Sequence, residues 1–174
     1  MKLTLRKFNQ CGQDLLHFDD YDATVTTEED VGLLIHHADC QATIFYDPID
    51  QLLGNIHCGW RGSIQNIYQK MVDKMTDLYQ TDPSDLIVCI GPNSAEFKHY
   101  KEKLLEAFWE YQICSTYFDF WEISRMQLTS CWNSCKSKLK SLKSARMKMK
   151  RSPFLTGEIK TLPHQGTLVG ILSN

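Results

Sequence analysis

Three reactive groups stand at the ends of two apolar runs: the thiol of Cys40, the imidazole of His57 and the guanidinium of Arg61. The first run, His36-His37-Ala38-Asp39-Cys40 through Tyr46-Asp47-Pro48, reads as a strand stopped by Asp-Pro. The second, Leu52 to Cys58, is a strand that meets the turn Gly59-Trp60-Arg61-Gly62. Downstream, Ile64, Ile67, Tyr68, Met71 and Met75 recur at helical spacing. Gly59 and Gly62 admit backbone dihedrals that other residues resist, which suits a strand-to-helix turn beside a ligand. A helix starting there directs its unbonded backbone N–H groups at that turn. Taken singly, each residue has an ordinary reading: a cysteine closing a strand is usually a small buried hydrophobe. It is the gathering of all three at neighbouring strand ends that marks the stretch as a site.

The remaining elements must hold these strands in place. Residues 3–8 suggest a short strand ended by Asn9-Gln10-Cys11-Gly12, and Ala23-Thr24-Val25-Thr26, with three β-branched residues, suggests a second. Val31 to His37 is expected to be a buried strand leading into the first run. The spacing predicts an amphipathic helix over 64–79, with Lys70, Asp73, Lys74 and Asp77 outward. Thr81-Asp82-Pro83-Ser84 interrupts it, and Leu86 to Ile90 is a short buried-type strand ended by Gly91-Pro92. Strand, helix and strand together resemble a βαβ crossover. Glu96 to Tyr111 reads as a second helix, Ile123 to Cys135 as another, and Phe118 to Ile123 is ambiguous. Leu139, Leu142 and Met149 are spaced to continue a helix, and Gly166 to Leu172 is a closing strand. There is no internal repeat.

A chain of 174 residues suits one domain with a real core. Its 43% hydrophobic and 23% charged residues are ordinary for a soluble globular protein. No apolar run approaches the roughly 20 residues that span a bilayer, and the first residues lack a signal-peptide pattern. The seven cysteines are therefore expected to be reduced, in a cytoplasmic protein. The net charge of −2 hides an asymmetry. Lys136 to Arg151 carries eight basic residues and no acidic one, which leaves eleven basic against twenty-one acidic elsewhere. Such a run can neutralise nucleic-acid phosphates, but it lacks the interleaved aromatics of a stacking platform, so a solvated segment is the better reading.

The motifs Ala38-Asp39-Cys40, Tyr46-Asp47-Pro48, Ile56-His57-Cys58-Gly59-Trp60-Arg61-Gly62 and Ile90-Gly91-Pro92 resemble the YfiH or laccase-domain family. Its motifs run ADC, D-P, HAGWRG and IGP in this order, and Asp22-Ala23-Thr24-Val25-Thr26 resembles its DA-x-x-T segment. The resemblance is specific from about Asp22 to Glu96. It implies an α+β fold of layered mixed β-sheets with flanking helices, in one domain over 1–174. It also leads us to expect a shortened member, without the family's N-terminal segment, whose residues 136–165 form a divergent basic segment and loop.

The resemblance further implies metal-dependent purine nucleoside phosphorolysis, acting on adenosine or inosine with phosphate, and adenosine deamination as a second activity. The family's metal, usually zinc, is held by the Q-x-H-G histidine, the ADC cysteine and the HAGWRG histidine. Cys40 and His57 match two of these ligands. Asn9-Gln10-Cys11-Gly12 puts Cys11 at the third, with His17 as the substitute if the alignment slips. Two thiolates, one imidazole and a water make a sensible zinc set, and such a water has a pKa of about 7. Phosphorolysis needs phosphate held near the ribose C1′, for which Arg61 is the natural candidate. Asp39 is a candidate to orient a ligand histidine, and Glu96 a candidate proton carrier. His36 and His37 are adjacent, so at most one faces the metal. Alternation turns Cys58 away from the side of His57, Trp60 is a wall, and Cys131 with Cys135 are packing residues.

The chain departs from the family pattern at its I-G-P-x-I-G segment, shortened here to Ile90-Gly91-Pro92-Asn93-Ser94-Ala95-Glu96. Phe154 to Lys160 and His164-Gln165-Gly166 stand where the family's arginine-rich FFSxRRD…TGR run is expected, without its arginines. Two alternatives therefore stay open: copper-dependent oxidation of phenols, the older label of the family, and a catalytically inactive member acting by binding.

Overall fold

The computed structural model describes residues 4–5, 20–38, 40–91, 101–114, 117–134 and 165–171. Its centre is a five-stranded sheet of β1 (Thr4–Leu5), β2 (Ala23–Thr26), β4 (Gln41–Asp47), β5 (Leu52–Cys58) and β6 (Ile87–Ile90), in the order β1-β2-β5-β4-β6. β1 runs parallel to β2, and every other pairing in this sheet is antiparallel. β3 (Gly32–His37) pairs with β9 (Gln165–Gly170) as a separate antiparallel ribbon. A third, small ribbon joins β7 (Gln112–Cys114) to β8 (Tyr117–Phe118). Mixed sheets and flanking helices match the α+β architecture expected from the motifs.

β5 lies at the middle of the sheet, and all its residues except His57 are buried. Alternation divides it into two faces. Leu52, Ile56 and Cys58 join Ala23, Val25 and Phe45 in the main core, against Ile67, Tyr68, Met71, Val72 and Met75 of a helix, α2 (Ile67–Tyr79). On the opposite face, Asn55 donates from Nδ2 to the carbonyls of Leu33 at 3.0 Å and Thr167 at 3.1 Å. One side chain thus fastens the β3–β9 ribbon to the back of the sheet.

The helical span expected at 64–79 is two helices. α1 (Trp60–Ile64) starts directly after Gly59, the chain turns at Gln65-Asn66, and α2 follows. Asn66 takes the left-handed conformation at φ 50°, ψ 60° and accepts from the N–H of Gln69 through its side chain. Asparagine tolerates this region because its short polar side chain bonds locally. Ile64 and Ile67 keep the apolar spacing across the break, which conceals it from periodicity.

Between β5 and β6 the two helices form a crossover. Both strands are antiparallel to β4, so they run parallel to each other with β4 between them. The crossover reading stands, with one strand inserted. β3 is not the buried strand expected from its composition: Leu33, Ile35 and His37 are buried, whereas Gly32, Leu34 and His36 face outward. The second helix is α3 (Lys101–Phe108), continued by a 3-10 turn at Trp109–Tyr111, and residues 92–100 lie outside the described set. The last described helix, α4 (Phe120–Ser134), begins three residues before the expected start. Asp119 caps it, its carboxylate accepting from the N–H of Glu122 at 3.0 Å. Leu104, Phe108, Phe118, Phe120 and Ile123 form a second, smaller core. No helix among the described residues is long and apolar enough to cross a membrane. The basic run 136–151 lies outside the described residues.

Candidate functional site

The β4–β5 register delivers the thiol and the imidazole to the same place. Gln41 pairs with Cys58 and Ala42 with His57, so Cys40, just before β4, comes level with Gly59. Alternation then gives Cys40, Ala42 and His57 the same face of the sheet. A Cβ on Gly59 would lie 2.9 Å from the Cys40 Sγ and 3.8 Å from the His57 Cε1. Sulfur and ring thus meet over the bare Cα of Gly59. The glycine is needed for this close approach rather than for an unusual backbone angle: Gly59 is extended, at φ −91° and ψ −177°. None of the described glycines has a positive φ.

His57 is held from behind by Asp22, which precedes β2. The Asp22 carbonyl accepts the His57 backbone N–H at 2.7 Å, and its carboxylate lies 3.2 Å from Nδ1. A carboxylate accepts, so Nδ1 donates, and in the neutral ring Nε2 keeps its lone pair. Asp22 thus orients the His57 ring, while Asp39, the expected orienting residue, lies outside the described residues. The signal was present in the Asp22-Ala23-Thr24-Val25-Thr26 motif, whose strand pairs with that of His57.

His37 is a structural histidine, 3% exposed. Its Nδ1 meets the Cys40 carbonyl at 2.9 Å, and its Nε2 meets the Thr167 hydroxyl at 2.9 Å. The carbonyl can only accept, so Nδ1 donates and Nε2 accepts from Thr167 in the neutral ring. Burial pushes the His37 pKa down, opposed by the Cys40 backbone bond and reinforced by the nearby His57 and His36. The ring pins the Cys40 peptide to the β3–β9 ribbon. Nothing in the local sequence signals this contact, because Thr167 is 130 residues away.

On the helix side, Gln41 anchors the start of β4. Its Oε1 accepts from Tyr68 at 2.9 Å and Ser124 at 2.6 Å, and its Nε2 donates to the Gly91 carbonyl at 2.9 Å. Gly91 also donates to the Ala42 carbonyl at 2.8 Å, and a Cβ there would lie 2.7 Å from that oxygen. The Ile90-Gly91 step is thereby strapped to the strand that carries Cys40. Cys58 points into the main core, as alternation requires, and burial raises its pKa. Its thiol lies 3.4 Å from the Ser63 hydroxyl. Cys131 is likewise buried in the main core, and Cys135 lies outside the described residues.

Arg61 is exposed at the first turn of α1, with its guanidinium carbon 4.9 Å from the centroid of the Trp60 ring. The ring itself packs against the second core. Cys11, His17 and Glu96 lie outside the described residues. Among the described residues no three His, Cys, Asp or Glu side chains are grouped to hold a metal ion. Cys40 and His57 bring a thiol and an imidazole held by a carboxylate to this corner, side-chain types that suit zinc or copper.

A family profile described as multi-copper polyphenol oxidoreductase laccase matches residues 4–146. The chain belongs to the laccase-domain family. Among curated laccase-domain relatives, a protein named purine nucleoside phosphorylase YlmD, from Bacillus subtilis (strain 168), is 39% identical over 72 residues, covering 41% of this chain and 26% of that protein. A purine nucleoside phosphorylase of Bacteroides thetaiotaomicron is 30% identical over 133 residues, covering 69% of this chain and 48% of its own length. The chain thus spans half or less of these two relatives. The crystal structure of YlmD from Geobacillus stearothermophilus superposes with a TM-score of 0.54 at 27% identity, over 63% of this chain and 46% of that one. A Bacillus licheniformis hypothetical protein YfiH superposes with a TM-score of 0.55 at 24% identity, over 63% and 46% of the two chains, and shows the shared fold.

Proposed function

We propose that this chain carries the site of a purine nucleoside phosphorylase, which transfers the ribosyl group of adenosine or inosine to phosphate. The observation that carries this reading is the meeting of the Cys40 thiol and the His57 ring over Gly59, one residue before Trp60-Arg61. The names of the relatives support the substrate class. Cys40, His57 and Cys11 (or His17 in its place) would hold one zinc ion. Bound zinc supplies a Lewis acid next to the substrate.

The chain's own residues do the rest. Asp22 keeps the proton on Nδ1 of His57, so that Nε2 is the nitrogen offered forward. Arg61 receives phosphate through two parallel N–H···O bonds and neutralises part of its charge. A phosphate oxygen then attacks C1′ of the ribose as the C1′–N9 bond breaks. The electron pair of that bond leaves with the base, which takes up a proton. Glu96 is the proton carrier in this scheme, and Asp39 is a candidate second orienting carboxylate. Trp60 supplies a wall. Adenosine deamination is a second activity of the same site.

The test is incubation of the purified protein with adenosine or inosine and phosphate, followed by chromatography for free base, inosine and ribose 1-phosphate. Release of base and ribose 1-phosphate, lost in Cys40→Ala, is the expected result. No product above the Cys40→Ala level would reject the reading. Copper-dependent oxidation of phenols is a second reading, favoured by the description of the matched family. Oxygen uptake with a phenol after copper loading, without any phosphorolysis, would favour it.

A further inference from the structure

Trp60 carries a second cation besides Arg61. The Nζ of Lys103, on α3, lies 5.7 Å from the centroid of the same indole ring. The next residue, Leu104, is fully buried in the small core on which Trp60 rests, so the helix that seats the ring also brings the lysine. Guanidinium and ammonium are no farther apart than the sum of their two distances to the ring, a bound somewhat beyond the roughly 8 Å over which charges interact at physiological salt. Among the described residues no carboxylate lies within 4.0 Å of either cation. This runs against the charge balance of the chain. Outside 136–151 acidic residues outnumber basic ones by twenty-one to eleven, and Arg125 on α4 does have its carboxylate, Glu122, at 2.7 Å. A π-face attracts each cation but leaves their mutual repulsion uncancelled. An anion bound by both would cancel it.

We propose that Lys103, together with Arg61, forms the receptor for the anionic co-substrate, with Trp60 as the plate that holds both cations in place. The inference rests on the phosphorylase reading only for the identity of the anion, taken as phosphate. It also gives a source of positive charge in a chain that lacks the arginines expected late in the sequence. Lys103 binds the anion and takes no part in proton transfer.

The probe is inorganic phosphate, its binding followed by titration calorimetry on the intact chain. Lys103→Met keeps an unbranched apolar side chain and removes the charge, Lys103→Arg keeps the charge, and Lys74→Met removes an exposed lysine on α2. Loss of one charge-assisted bond predicts about tenfold weaker phosphate binding in Lys103→Met. Lys103→Arg and Lys74→Met retain wild-type affinity, and the melting midpoints stay together. In turnover, Lys103→Met raises KM for phosphate and leaves KM for the nucleoside unchanged. Equal phosphate affinity in wild type and Lys103→Met overturns the proposal, as does a wild-type protein that binds no phosphate. Lys103-dependent phosphate binding without release of any base leaves the anion receptor standing and rejects the nucleoside reading.

Discussion

Asp22 holds His57 by two bonds at once, its carbonyl on the backbone N–H at 2.7 Å and its carboxylate on Nδ1 at 3.2 Å. The backbone bond survives any substitution that keeps the strand, so the side-chain bond can be tested alone. Asp22→Ala removes the acceptor that fixes the ring proton on Nδ1. Loss of such an orienting carboxylate costs about 10–100-fold in metal affinity or activity. Zinc affinity measured by competition with a chelating dye should fall within that range while the circular dichroism spectrum is unchanged. An unaltered affinity would show that Nε2 is not a ligand.

Gly59→Ala puts a methyl group 2.9 Å from the Cys40 sulfur. The backbone there is extended, so alanine fits the dihedrals and the whole effect falls on the thiol. Overpacking of this kind costs about 1–3 kcal/mol. The expected outcome is a folded variant with a displaced Cys40, whose reaction with a thiol reagent changes rate and whose metal content drops. Wild-type metal content would contradict the shared position of sulfur and ring.

The buried His37 makes stability depend on pH in a defined direction. Its folded pKa is lowered from 6.5, so folding favours the neutral ring. This contribution is fully present above pH 6.5 and is lost as pH falls through the folded value, because the unfolded chain binds the proton more readily. Urea midpoints measured from pH 8 to pH 5 should fall in wild type and fall less steeply in His37→Gln. Parallel slopes would argue against a neutral, buried His37.

Tyr68→Phe probes the polar cluster beneath β4. The Tyr68 hydroxyl donates to Gln41, whose Oε1 also accepts from Ser124 at 2.6 Å. One donor therefore remains, and the loss should be limited to about 1 kcal/mol in denaturant unfolding. Gln41→Leu leaves Tyr68, Ser124 and the Gly91 carbonyl without this partner and should cost more than Tyr68→Phe. The reverse order would place the weight of the cluster elsewhere.

Much of the site's frame was legible because its signals are local. Asp47-Pro48 ends β4, and Leu52 to Cys58 announces β5 by its apolar run. The pairing of these two strands follows from the short turn between them, and with it the approach of Cys40 to His57. The break at Asn66 was hidden because Ile64 and Ile67 preserve helical spacing on either side of it. The early start of α4 was readable in Asp119 and Glu122, three residues apart at a helix N-terminus. At Gly59 the lack of a side chain matters more than the torsional range that its residue type suggests. The bonds of His37 to Thr167 and of Asn55 to Leu33 and Thr167 depend on strands far apart in sequence. No window of residues encodes such contacts; they exist only once the ribbon has docked on the sheet.

That docking sets a time order for the reactive thiol. During synthesis, β4, β5 and the crossover can assemble long before Gln165–Gly170 leaves the ribosome, yet the peptide of Cys40 is tethered through His37 to Thr167. Contacts of such long sequence separation form late. A nascent chain therefore lacks the His37–Thr167 link behind the Cys40 peptide until β9 arrives.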